Sequence, residues 1–277
     1  MSLSAKISGI SLNIRPEKKD DIIYFERVFN MKEVSSLGDR VVISRNACSK
    51  CLKIELIADS SIKAIGDKFT GDGFVGLGFK STDAKSLVAL SESYGGVTKV
   101  PLDTYSFGAS IIPDEDEMKQ FPVKYCKVKE PTAGYTFEIF EDQKYGGLTN
   151  PISKVIMNCI DLEESSDFYE GVLGMKMFRR RSNINSNPKE ASISQFYSFA
   201  ENENEDNETM LELVYPYSTE SIDMGKSFRH LALDMTADKL AEVKGKLNGV
   251  QFTECDDGVE LVDPNGYTVY LRKIETL

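Results

Sequence analysis

Strand-type runs of apolar residues recur along the chain with short helices between them, and the pattern divides into four units of about 65 residues. The first, over residues 5–60, reads as a strand Lys6–Ile14, a helix Lys19–Phe29, then strands near Glu33, Val41–Ser44 and Leu52–Ile57. Pro16 and the acidic pair Asp20 and Asp21 mark the start of that helix, where a fixed φ and negative charge are favoured. The second, Phe74 to Asp142, gives a strand Val75–Phe79, a helix Ala84–Ser93 ended by Gly95 and Gly96, and strands near Val97, Val123–Val128 and Tyr135–Phe140. The third begins SKVIMNCIDLEESSDFYEGVLGMKMF at Ser153, an apolar strand, an acidic helix start, an aromatic-rich helix and a second strand, and closes with Met210–Tyr215. The fourth runs from Phe228 to Ile274. Residues 143–150, continuing to Pro151, carry two glycines and a proline and form the linker, so we expect an N-terminal domain over 1–145 and a C-terminal domain over 150–277. ENENEDNE at 201–208 is too polar to pack in a core and reads as a solvated hairpin tip.

The units repeat in register. YFERVFNMK at 24–32 echoes FYEGVLGMK at 168–176, and AGYTFEIF at 133–140 echoes NGYTVYLR at 265–272, so units one and three match, as do two and four.

Composition narrows the class. With 277 residues, 41% of them apolar and 28% charged, the chain is long enough for two soluble domains with full cores. There is no 18-residue apolar run to span a membrane, and the first residues lack the features of a secretory or transit signal, so a cytoplasmic location is expected. A net charge of −11 disfavours phosphate backbones, which excludes nucleic acid as the expected partner. Arg179, Arg180 and Arg181 read as solvated cations at a strand end. Five cysteines are odd in number, and Cys48 and Cys51 have no second pair to complete a zinc site, so reduced thiols are expected.

Strand, helix, then three strands is the βαβββ module, and with FYEGVLGMK, LELVYPY and DPNGY the chain resembles the glyoxalase I branch of the vicinal oxygen chelate superfamily. The resemblance is strong over residues 153–273 and in register over 5–142. It implies an α+β fold of four βαβββ modules paired into two domains, each pair curling into a half-barrel whose concave face holds a divalent metal. Each module contributes at most one ligand from its first strand and one glutamate from a later strand. Those positions fall on Gly9 and Glu55, Gly76 and Glu138, Lys154 and Glu212, and His230 and Tyr270. Gly9 is chosen because Ile10, Leu12 and Ile14 take the helix-facing register. Glu55, Glu138 and Glu212 each sit between apolar neighbours, so each points to the opposite face, solvent or cleft; the resemblance favours the cleft.

Two pairing schemes stay open: modules one with four and two with three, or one with two and three with four. Under either, each site keeps two good ligands. His230 is the only histidine, which excludes the 2-His-1-carboxylate triad of dioxygenases on this fold. The resemblance implies Glu55 and Tyr270 as catalytic candidates and Glu55 with His230 as ligands of one divalent metal, Zn²⁺ or Ni²⁺, for proton transfer on a hemithioacetal. Lys154, Glu138 and Glu212 form a degenerate second site where the ammonium stands in for the metal, and no cofactor is expected there. The family's glutathione-binding arginine matches Asn13 and Asn158, and its asparagine matches Asp59 and Pro216; Lys226 is the one cation kept nearby. Three readings follow: a glyoxalase I-type metalloenzyme with degenerate, weak or lost lactoylglutathione-lyase activity on a small-molecule substrate, an inactive protein binding a small ligand, or an inactive fold serving as scaffold or subunit of a larger protein assembly. Since one chain holds both halves of each site, a monomer is expected.

Overall fold

In the computed structural model the described residues are 4–14, 19–45, 51–60, 71–111, 119–131, 134–142, 152–183, 191–200, 208–217 and 219–275. The linker at 143–151, Pro16, Cys48 and residues 201–207 of the acidic run lie outside them. Module one comprises β1 (Ala5–Ile14), α1 (Lys19–Phe29), β2 (Lys32–Leu37), β3 (Arg40–Ser44) and β4 (Lys53–Ala58). Module two comprises β5 (Phe74–Ser81), α2 (Ala84–Ser93), β6 (Val97–Ile111), β7 (Lys119–Lys129) and β8 (Thr136–Glu141). Module three holds β9 (Ile152–Asn158), α3 (Leu162–Ser166), β10 (Lys176–Asn183), β11 (Ser192–Ser198) and β12 (Met210–Pro216). Module four holds β13 (Phe228–Thr236), α4 (Ala237–Lys244), β14 (Phe252–Cys255), β15 (Gly258–Val262) and β16 (Thr268–Ile274). The fold is α+β, mostly strands with few helices, built as paired glyoxalase-type modules in two eight-stranded curled sheets. Among the described residues no helix is long and apolar enough to cross a membrane.

Modules one and four share one sheet and modules two and three the other. The first sheet runs β14-β15-β16-β13-β1-β4-β3-β2, joined where β1 and β13 pair antiparallel. The second joins through β5 and β9 in the same way. Each sheet therefore crosses between the two halves of the sequence, while helices tie each half together. On α1, Phe29 stacks on Phe79 of β5 at 3.9 Å between ring centroids, and Tyr24 and Phe25 lie against Phe137 of β8. In the other half Tyr169 donates to the buried carboxylate of Asp263 at 2.9 Å. The two Gly-Tyr-Thr turns perform matching work: Tyr135 donates to the Asn13 carbonyl at 2.6 Å and Tyr267 to the Asn158 carbonyl at 2.8 Å, each fastening the first strand of the other module in its own half.

Three differences from the sequence reading matter. The aromatic-rich segment of module three is helical only over five residues and then widens to a π-turn over Asp167–Val172, which buries Phe168 and Tyr169 side by side. The strand near Val97 extends to Ile111 and pairs with a long β7, Lys119–Lys129; Pro101 and Pro122 break the pattern that would mark them, and register shifts accommodate Pro101. The far end of β6 then reaches β10, with Arg179 opposite Ile111 and Ser182 opposite Gly108, so the module two/three sheet closes into a barrel instead of a half-barrel.

Candidate functional site

The open sheet carries a cleft of about 880 Å³ along the β1/β13 seam, lined by Gly9, Glu55, His230 and Tyr270 among others. Register explains why these four meet. On β1 and β13 the buried residues Ile10, Leu12, Leu231 and Leu233 face the helices, so the alternate positions Gly9, Ser11, His230 and Ala232 face the cleft. Ser11 pairs with His230 on one side and Glu55 on the other, giving a row Glu55, Ser11, His230 across three strands. The row one step along the strands runs Gly9, Ala232, Tyr270, so the first-strand and later-strand positions of the two modules are related by the local twofold repeat.

The Glu55 carboxylate and the Tyr270 hydroxyl have definite partners. Ser11 Oγ donates to Glu55 Oε2 at 2.8 Å, and Arg40 lies 3.6 Å from Glu55 Oε1. The Tyr270 hydroxyl donates to Asp257, and its ring centroid is 5.8 Å from that of His230. Burial lowers the proton affinity of His230 against the opposing pull of Glu55, and Arg229, Arg40 and Arg272 lower it further, so the imidazole is neutral at neutral pH. Arg272 is anchored in turn on Asp234, with Nε 2.8 Å from Oδ1.

A divalent metal of the kind bound in this superfamily does not fit this donor set. Glu55 and His230 supply two donors, while Arg40 sits on one carboxylate oxygen and Ser11 on the other. Among the described residues no three His, Cys, Asp or Glu side chains gather as a metal site. At the fourth position Gly9 leaves no room for a ligand, since a Cβ there would lie 2.9 Å from the Lys53 carbonyl oxygen.

The second site lies inside the closed barrel, where a cavity of about 510 Å³ is lined by Lys127, Glu138, Arg181 and Glu212, with Tyr105 and Tyr125 beside them. Lys154 reaches Glu212 Oε2 at 2.5 Å and Glu138 Oε2 at 3.4 Å, with its ammonium 4.3 Å from the Phe140 ring centroid. Lys127 holds Glu138 Oε1 at 3.0 Å and Arg181 holds Glu212 Oε1 at 2.5 Å. All four carboxylate oxygens thus face cations. Burial would raise the Glu138 carboxyl, but Lys127, Lys154 and Arg181 outweigh it and hold the group at about 2. Gly76, at the first-strand position of module two, has φ +152° and would place a Cβ 1.9 Å from the Thr136 carbonyl oxygen.

Arg181 corrects the reading of the arginine run as solvated. It points into the barrel from the middle of β10, and Arg179 on the same face lies 4.3 Å over the Phe196 ring. Sequence reasoning also missed Lys127, Arg40 and Ser11. Lys127 is opposite Glu138 in the β7/β8 ladder and Ser11 is opposite Glu55, cross-strand relations that become visible only once the partners are known. Asn13 and Asn158, at the family's arginine position, instead tie down loops, donating to the carbonyls of Lys226 and Asp72 at 2.8 and 2.6 Å. Pro216 lines the barrel cavity, and the Asp59 backbone N–H bonds to Ile14.

Comparison with known proteins places this arrangement. Residues 152–271 match the model of the Glyoxalase/Bleomycin resistance protein/Dioxygenase superfamily. A lactoylglutathione lyase of Salmonella typhimurium is 32% identical over 121 residues, covering 40% of this chain and 83% of that protein. A lactoylglutathione lyase of Neisseria meningitidis is 35% identical over 75 residues, 27% of this chain and 49% of its own length, so the chain spans about half of that relative. In three dimensions the glyoxalase I of Zea mays superposes with a TM-score of 0.75 at 20% identity, over 98% of this chain and 92% of that one. A putative dioxygenase from Bacillus subtilis superposes with a TM-score of 0.64 at 10% identity, covering 99% and 86%. These structural matches concern the fold. With its repeated βαβββ modules and the sequence match through the second half, the chain belongs to the glyoxalase/bleomycin resistance protein/dioxygenase superfamily.

Proposed function

We propose that this protein is a glyoxalase I-like binding protein whose lactoylglutathione-lyase activity is weak or lost, and that its working site is the cleft between modules one and four. Glyoxalase domain-containing protein 4 is the two-domain member it resembles. The observation that carries the reading is the pair Glu55 and His230, one on each side of Ser11 across three strands, lining the open cleft with Tyr270. Arg40, Lys53, Arg229 and Arg272 line the same cleft against Glu55, Asp257 and Glu260, which suits a small oxygenated molecule carrying negative charge. Neutral His230 offers an N–H to the ligand's oxygens, and Glu55 is the carboxylate able to accept a proton. Because Glu55 and His230, with Arg40 and Ser11 on the carboxylate, do not fit a divalent ion, proton transfer would lack the charge stabilisation such an ion supplies.

The test measures methylglyoxal plus glutathione turnover with and without added Ni²⁺ or Zn²⁺, alongside calorimetric titration with S-lactoylglutathione. We expect turnover well below the roughly 10 s⁻¹ typical of enzymes, with binding weakened about tenfold by Glu55→Gln or His230→Ala. Turnover at an ordinary enzymatic rate would overturn the loss of activity. Absence of both turnover and binding would overturn the cleft's ligand role and favour a scaffold.

A further inference from the structure

We propose that Ser44, Lys53 and Lys32 form an anion subsite at one end of the module one/four cleft, and that the ligand class of the cleft is a phosphate monoester of a polyhydroxylated carbon chain. The inference rests on the reading of this cleft as the ligand site. It starts from an unsatisfied group. Ser44 ends β3, is 1% exposed and lines the cleft, and its Oγ has no hydrogen-bond partner. Arg40 and Val42, at alternate positions of the same strand, line the cleft too, while Val41 and Ile43 are packed in the core, so the Ser44 hydroxyl is on the cleft face. An unpaired buried hydroxyl weakens a fold, and in a cleft wall it is completed by an oxygen of the ligand.

Two ammonium groups flank that hydroxyl. Lys32 of β2 is the cross-strand partner of Ser44, and the β3/β4 ladder, in which Ile43 pairs with Ile54, puts Lys53 on its other side. Opposed residues share a face, so all three side chains leave the sheet on the cleft side. Among the described residues neither lysine has a carboxylate partner; Glu55, two residues along β4, is engaged by Ser11 and Arg40. Two ammoniums and a hydroxyl are separate point donors, unlike the planar fork of a guanidinium. Their two positive charges match a phosphate monoester, which carries nearly two negative charges at neutral pH, better than the single charge of a carboxylate.

The floor beyond Lys53 has room for the body of such a ligand. Lys53, Gly9, Ala232 and Tyr270 form one row across four strands. Between Lys53 and Tyr270 that row carries no side chain larger than a methyl group over three strand spacings, at most about 14 Å, enough for an extended chain of about six carbons. Gly9 keeps the trough open, because a Cβ there would lie 2.9 Å from the Lys53 carbonyl oxygen. His230 and Glu55 stand one row along, where the hydroxyls of the chain can meet them.

The probe is sorbitol 6-phosphate, with sorbitol, gluconate and inorganic phosphate as controls that lack the charge, the second negative charge and the carbon chain in turn. Calorimetric titration of the full chain should give saturable binding of sorbitol 6-phosphate that weakens with added salt, and binding at least about tenfold weaker for each control. Lys53→Gln and Lys32→Gln should each weaken it about tenfold, whereas Lys246→Gln, which removes one exposed lysine from α4, should leave it unchanged. Ser44→Ala should weaken it about threefold yet leave the melting temperature of the unliganded protein unchanged or higher, because it deletes an unpaired group. Gluconate or inorganic phosphate binding as tightly as the ester would overturn the proposal. So would equal loss of affinity in Lys246→Gln, or a Ser44→Ala protein that melts lower and binds normally. If sorbitol 6-phosphate fails to bind at millimolar concentration while S-lactoylglutathione binds, the phosphate subsite is wrong and the ligand role of the cleft stands; if neither binds, both readings are overturned.

Discussion

Glu138 shows how the fate of a single residue turns on its neighbours. Its alternation with apolar residues puts it on the face opposite them, and that much is local. Whether that face is dry, and whether a metal or an ammonium meets the carboxylate, depends on Lys127 and Lys154 from other strands. Because the folded carboxyl is held at about 2, below its ordinary value of 4.5, its contribution to stability is present above pH 4.5 and is lost as pH falls towards 2. At about 1.4 kcal/mol per unit this amounts to about 3 kcal/mol. Urea unfolding of the Glu138→Gln variant should therefore show a deficit of that order at pH 6 that shrinks as pH approaches 2; parallel curves for the two proteins would refute the assignment. His230 is the converse: the sequence put it at a first-strand ligand position, but only the pairing of β1 with β13 sets it beside the Ser11 that holds Glu55.

Elements differ in how far their sequence announces them. The helix Ala84–Ser93 is legible at both ends: the Asp83 side chain accepts from the Ser86 N–H at 3.0 Å, and Gly95 beyond it takes φ +85°. The β6/β7 hairpin is not, because its prolines interrupt the alternation and its outer half is stabilised by a strand from another module. Strand β1 carries a constraint of its own at Gly9. The strand approaches β4 so closely that a side chain at this position meets the Lys53 carbonyl. Gly9→Ala should cost about 1–3 kcal/mol by overpacking, whereas Gly171→Ala, where an added Cβ has open space, should change stability by less than about 0.5 kcal/mol. Thermal unfolding of the two variants checks the contrast. The same contact means that Gly9→His would not simply restore a lost ligand.

At the scale of the whole molecule, the two halves of the chain are interlocked. Helix packing holds modules one and two together, yet β1 and β5 both find their antiparallel partners in the other half. A fragment of residues 1–145 exposes both edges, and unpaired edges recruit other strands. We expect that fragment to run as a dimer or aggregate in size-exclusion chromatography, and to give a stable species of full-chain size when refolded with 150–277. A folded, monomeric 1–145 would contradict the interlocked arrangement.

By itself the sequence determined the repeating unit, its strands and capped helices, and the chemical identity of the groups at the family's ligand positions. These depend on side-chain period, turn residues and caps within about ten residues of each other. The tertiary structure decided which modules share a sheet, that one sheet stays open while the other closes, and that Arg181 and Lys127 join the buried carboxylates. Those outcomes rest on contacts between distant segments, such as Ser11 beside His230 and Gly78 beside Lys154. Their free energy comes from pairing strand edges and burying charge, and no local pattern encodes the choice of partner.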